Sequence, residues 1–117
     1  MEDLNILTKE EVINQGVHFS ELWDEYGSDR LLDRPEEDGG QPFTGIAYES
    51  DQDGNLIYYC YYEDGFSQGA YVEFYEDGNV KSIQNMKRGR THGSEKIWRK
   101  DGALQLEAIY ELSLIHI

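Results

Sequence analysis

The sequence predicts an all-β fold: an antiparallel meander of tandem 24-residue β-hairpin repeats, led in by a short N-terminal helix and a capping segment. Three observations predict it. Asp-Gly recurs at Asp53-Gly54, Asp77-Gly78 and Asp101-Gly102, a constant interval of 24 residues. A second glycine series, Gly45, Gly69 and Gly93, keeps that interval, and the pair Gly65 and Gly89 repeats it. Apolar positions follow the same clock: Leu56, Val80 and Leu104 stand two residues after each Asp-Gly, and Tyr62, Met86 and Tyr110 six residues later. Phe74 and Trp98 share one position, which Ser50 fills in the first unit. Coincident series at one period mark an internal repeat, and each unit of such a repeat is one supersecondary element.

The N-terminal segment, 1–41, fits no clean repeat. Thr8-Lys9-Glu10-Glu11 has the form of a capping box, which predicts a short helix over about Lys9–Gln15 with Gly16 ending it. Val17 to Leu32 carries Phe19, Leu22, Trp23, Tyr26, Leu31 and Leu32, read as a degenerate leading hairpin that caps the sheet. Pro35 to Gly40 is an acidic, turn-rich loop.

Residues 42–111 form the repeat array, in units of about 45–68, 69–92 and a truncated 93–111. In each, Asp-Gly supplies a tight reversal, because Gly reaches positive φ without a Cβ clash and Asp can bond its own backbone. The flanking segments, such as AYVEFY and NVKSIQNM, have the length and the β-branched and aromatic content of strands. Counting by twos sets Leu56, Tyr58, Cys60 and Tyr62 on one face and Ile57, Tyr59 and Tyr61 on the other. The same count groups Val80 with Ser82, Gln84 and Met86, and Leu104 with Leu106, Ala108 and Tyr110. Gly65 and Gly89 turn the chain again, so successive hairpins run into a meander. One hairpin alone is marginal in water and needs its neighbours.

The last six residues, LSLIHI, resemble the translation of a transposon mosaic-end adapter used in sequencing libraries. The next turn glycine is due at 113, where Ser113 stands. The expectation is that 112–117 are not native; a genuine C-terminal strand is the alternative.

The spacing resembles the MORN-repeat variant. The second unit offers Gly69, Phe74-Tyr75, Asp77-Gly78, Val80, Met86, Gly89 and His92-Gly93. The third offers Gly93, Trp98, Asp101-Gly102, Leu104 and Tyr110, and Pro42-Phe43-Thr44-Gly45 looks like the entry to a first repeat. Ser50-Asp51 and Arg99 depart from the aromatic pair. The resemblance extends to the YwqK-type antitoxin or immunity proteins of bacteria, and it implies a non-catalytic protein that binds and neutralises a cognate toxin.

Charge and composition narrow the classes further. With 24 acidic and 10 basic side chains, the net charge is −14. Nucleic acids and anionic membranes both require basic side chains, so neither is an expected partner. No run approaches the length of a membrane-spanning helix, and the acidic N-terminus lacks the features of a secretory signal. The expectation is a soluble, cytoplasmic protein. Charge is uneven: residues 1–44 hold 12 acidic and 3 basic side chains, 45–79 hold 8 and none, and 80–111 hold 4 and 7.

No catalytic set assembles, so no enzyme activity is expected. His18, His92 and His116 lie far apart in sequence, and His92 belongs to the repeat's His-Gly step. Cys60 reads as a structural thiol, with no basic residue nearby in sequence to activate it. Glu49-x-Asp51-x-Asp53-Gly54 partly mimics a calcium loop, but Cys60 stands where a bidentate Glu is required, so no metal or other cofactor is expected. The expected partner is a protein such as a basic toxin. Tyr59, Tyr61, Tyr71 and Tyr75, on the strand parity opposite Leu56, Tyr62, Val72 and Phe74, are the candidate contact residues, with Glu73 and Glu76 steering a basic partner. A structural or scaffold repeat module with an unidentified protein partner is the alternative.

Overall fold

The structure is a computed structural model that describes residues 6–110. The suspected adapter tail lies outside the described residues. The fold is mostly β with one short helix. Helix α1 covers Lys9–Gln15, and Thr8 and Glu11 make both hydrogen bonds of the capping box. Gly16 ends the helix in extended backbone, its N–H donating to the Val12 carbonyl. A Cβ at Gly16 would sit 2.8 Å from the Val12 carbonyl oxygen and 3.0 Å from Ile46, so close packing favours glycine there.

The chain then forms β1 (Gly16–His18), β2 (Trp23–Asp24), β3 (Leu31–Leu32), β4 (Gly45–Ser50), β5 (Leu56–Glu63), β6 (Phe66–Phe74), β7 (Val80–Lys87), β8 (Arg90–Trp98) and β9 (Leu104–Tyr110). Strands β4 to β9 are consecutive antiparallel neighbours, the meander that the sequence predicts. Two departures occur at the N-terminal side. Strand β1 joins the sheet parallel to β4, with Gly16 opposite Ile46 and His18 opposite Tyr48. Parallel pairing needs a long crossover, here residues 19–44, and that pairing has no local signature in the sequence. Within the segment read as a leading hairpin, β2 and β3 pair antiparallel as their own two-stranded sheet. It is stitched to the meander by Leu31 N–H to Gly65 O, Phe43 N–H to Leu31 O and Gly65 N–H to Phe43 O, at 2.9, 2.9 and 2.8 Å.

The turns alternate between two kinds. After β4, β6 and β8 the chain reverses through five-residue connections closed by Gly54 N–H to Asp51 O, Gly78 N–H to Tyr75 O and Gly102 N–H to Arg99 O. Gly54, Gly78 and Gly102 have φ of 83°, 93° and 92°, the left-handed geometry that ends a type I turn with a glycine bulge. After β5 and β7 the reversals are two-residue turns, Asp64-Gly65 and Arg88-Gly89, with all four residues at positive φ. These mirror-image turns match strand twist, and they hold two non-glycine residues in a strained region. Each is tied back to an earlier part of the chain: Asp64 N–H donates to Thr44 Oγ1, just before β4, and Arg88 N–H to Gln68 Oε1 of β6.

The sheet contains bulges that the period-two count does not foresee. Glu49 pairs with Tyr58 but Ser50 with Leu56, leaving Ile57 extra. Glu73 pairs with Ser82 but Phe74 with Val80, leaving Lys81 extra, and Ile97 and Trp98 leave Gln105 extra in the same way. Each bulge flips the alternation. Leu56 therefore shares a face with Tyr59, and Val80 with Ile83. The core lies on that face, where Val12 of α1 meets Leu56, Tyr59, Val72 and Ile83, joined by Leu7, Ile46, Tyr48, Phe74, Val80 and Trp98.

Candidate protein-binding surface

The bulges decide which side chains are available to a partner. Beyond them, opposite residues across the strands form rows that share a face. One row runs Tyr48, Tyr59, Val72, Ile83, Lys96, and it lies on the core face under α1. Two rows lie on the opposite face: Glu49, Tyr58, Glu73, Ser82, Ile97, and Ala47, Cys60, Tyr71, Gln84, Glu95.

The six candidate contact residues therefore do not form one surface. Tyr59 is a core residue, 5% exposed, stacked on Phe74, and its hydroxyl accepts the Leu7 N–H at 2.9 Å. Burial pushes its phenol pKa up. Tyr61 shares the parity of Tyr59, paired with Ile46, but is 42% exposed. Tyr71 and Glu73 lie on the opposite face. Tyr75 and Glu76 sit at the turn after β6; the Tyr75 hydroxyl donates to the Trp98 carbonyl at 2.7 Å, and Lys81 and Lys100 approach its ring. The assignment of Tyr59, Tyr61, Tyr71 and Tyr75 to a single face opposite Leu56, Tyr62, Val72 and Phe74 is corrected. Tyr62 and Tyr71 share one face; Tyr59, Val72 and Phe74 share the other, because the β5–β6 register sets Tyr59 opposite Val72 and Cys60 opposite Tyr71.

The face opposite α1 has a defined centre. Tyr58 and Tyr71 stack with ring centroids 5.1 Å apart and planes 10° from parallel. Phe19 meets Tyr58 edge-on at 6.3 Å, and Phe43 packs beside Tyr62 at 6.3 Å, so the N-terminal segment walls this face toward β4 and the β5–β6 turn. Burial pushes the Tyr71 phenol up to about 12, helped by Tyr58 and Glu73; burial and Glu49 push up Tyr58. Glu73 accepts the Ser82 hydroxyl at 2.7 Å, and Glu95 accepts the Gln84 amide at 2.9 Å. The ion pairs among the described residues, Arg34–Asp33, Lys96–Glu107 and Arg99–Asp101, involve none of Glu49, Glu73 or Glu95.

A separate cleft of about 380 Å³ opens at the turn end of the core, between Ile6–Lys9 and the turns that carry Asn55 and Tyr75–Gly78, floored by Leu56, Phe74 and Val80. Cys60 is fully buried and burial pushes its thiol up to about 12; its Sγ–H donates to the Tyr61 carbonyl at 3.3 Å. It is a neutral thiol near pH 7. The Asp51 carboxylate of the calcium-like loop accepts the N–H groups of Asp53 and Asn55, which hold its pKa low. That is an Asx turn closing its own hairpin. His18 bridges Ser20 and Ser50 and sits edge-on to Tyr48.

Glu49, Tyr58, Gln84 and Glu95 are not among the contact candidates that the sequence offers. A signal for them was present: the best core pairs, Leu56 with Tyr59 and Val80 with Ile83, are three residues apart, an odd spacing that announces a bulge.

Comparison with known proteins gives one functional pointer. The chain is 47% identical over 55 residues to the immunity protein YwqK of Bacillus subtilis (strain 168), a match that takes in 47% of this chain. It spans 36% of that protein's length, about a third. No family profile and no solved structure matches the chain.

Proposed function

We propose that this chain is a non-catalytic, protein-binding repeat protein of the immunity or antitoxin type, which binds and neutralises a cognate bacterial toxin in the cytoplasm. The observation that carries the reading is the 47% identity over 55 residues to the immunity protein YwqK. Its partner is a protein, with no cofactor and no nucleic acid involved. The acidic stretch 45–79 favours a basic toxin, since complementary charge accelerates encounter.

In the same reading the array is a MORN-like repeat of 24-residue hairpin units. Supporting it are the bulges at Ile57, Lys81 and Gln105 and the paired stitches Gly65 N–H to Phe43 O and Gly89 N–H to Ser67 O. No helix among the described residues is long and apolar enough to cross a membrane. The test is growth of a bacterial host that expresses the reading frame adjacent to this gene. Co-expression of this chain restores growth if the reading holds; continued arrest, with both proteins soluble and present, contradicts it.

A further inference from the structure

The sheet face opposite α1 carries a combination of groups that selects a particular kind of partner. Its two central rows present Glu49, Glu73 and Glu95 around the stacked Tyr58 and Tyr71, and they contain no lysine or arginine. All five side chains are partly exposed. None of the three carboxylates has an ion-pair partner among the described residues, although Ser82 and Gln84 hold two of them in place. Strand geometry fixes the spacing. Glu49 and Glu73 flank Tyr58 in one row, and Glu95 lies beyond Gln84 from Tyr71 in the next.

We infer that this face, bounded by Phe19 and the N-terminal segment, docks an extended, arginine- or lysine-bearing segment of a protein partner. A ring face attracts a cation through its quadrupole, and a guanidinium stacks on tyrosine while its N–H groups reach a carboxylate beside the ring. Carboxylates already oriented by a neighbouring hydroxyl or amide lose little freedom on binding, so their charge-assisted bonds are strong for their number. The charge complementarity is regional as well as local: residues 45–79, which build β4 to β6 and their turns, contain eight acidic side chains and no basic one. A polyanion such as nucleic acid is repelled by the same field. The core face offers no equivalent, because α1 and Leu7 cover its centre.

The inference rests on the protein-binding reading above and names the surface and the chemistry that it uses. The test uses the full chain and two synthetic probes, acetyl-(Arg-Ser)4-amide and acetyl-(Glu-Ser)4-amide, whose charged residues alternate as strand side chains do. Binding is followed by calorimetry at low salt and at 300 mM salt, and by amide chemical-shift mapping. The arginine peptide is expected to bind, to weaken at least tenfold with salt, and to shift the amides of Tyr58, Tyr71, Glu73, Gln84 and Glu95. The glutamate peptide is expected not to bind.

The double variant Glu73→Gln, Glu95→Gln keeps both acceptor oxygens for Ser82 and Gln84, so it preserves the sheet; it is expected to weaken arginine-peptide binding about tenfold. Glu10→Gln, Glu63→Gln removes the same charge from exposed positions elsewhere and is expected to change affinity less than twofold. Equal losses in both pairs mean diffuse attraction and overturn the inference. So does absence of binding, or shifts confined to the cleft beside Tyr75. Because no toxin enters the experiment, a failed growth rescue with a mapped peptide site refutes the immunity reading alone.

Discussion

Gly78→Ala isolates the backbone requirement of the hairpin turns. Gly78 has φ of 93°, and a Cβ built there meets nothing within 4 Å. The substitution therefore carries no steric clash, only the penalty of holding an L-residue in left-handed geometry, about 1–2 kcal/mol. For a domain of this size that is a fall in Tm of roughly 5–10 °C. Gly65→Ala supplies the contrast at φ of 86°. There a Cβ would run into the Arg30 side chain and lie 2.8 Å from the Leu31 carbonyl oxygen. That carbonyl accepts the Phe43 N–H while Leu31 N–H bonds Gly65 O, so the neighbour has little room to give. The cost rises to roughly 2–5 kcal/mol when overpacking is added to the dihedral penalty. Urea unfolding followed by tryptophan fluorescence measures both variants against the parent. An unchanged midpoint for Gly78→Ala, or a Gly65→Ala loss no larger than that of Gly78→Ala, would refute the turn geometry.

Four further outcomes follow from the packing. Val72→Ala, at a 1% exposed site in the core, should cost about 2 kcal/mol in the same urea assay; a neutral result places the core elsewhere. Tyr59→Phe removes the acceptor for the Leu7 N–H and should cost about 1 kcal/mol, and protection of that amide from hydrogen exchange should fall with it. Cys60, raised to about 12 by burial, should react with a thiol reagent at pH 8 only as the protein unfolds; immediate stoichiometric labelling contradicts its burial. Asp33, Asp51 and Asp101 have pKa values held below 3.8 by backbone N–H donors, so their contribution is present above that value and is lost as pH falls through the lowered folded pKa. Asp51→Ala should lower the urea midpoint at pH 7 and flatten its decline below pH 4; an unchanged acid profile assigns the loss to other groups.

Much of the fold was legible because its signals are local. Thr8 and Glu11 announce α1, and the glycines at 54, 78 and 102 announce turns that only positive φ can make. What escaped the sequence is of two kinds. The parallel pairing of β1 with β4 joins segments far apart in the chain, and nothing in Gly16-Val17-His18 specifies its partner. The bulges at Ile57, Lys81 and Gln105 are local, but period-two counting presumes that none exists, so one extra residue moved Tyr59 from the candidate surface into the core. The proposed binding face was legible only in part. Tyr71 and Glu73 were singled out, whereas the places of Tyr58 beside Glu73 and of Glu95 beside Gln84 emerge only once register is known.

The most direct test of the immunity reading is a calorimetric titration of the purified chain with the purified product of the adjacent reading frame. The account predicts a saturable one-to-one complex that weakens with salt and weakens further in Glu73→Gln, Glu95→Gln. No heat of binding and no co-elution between two folded proteins would contradict it.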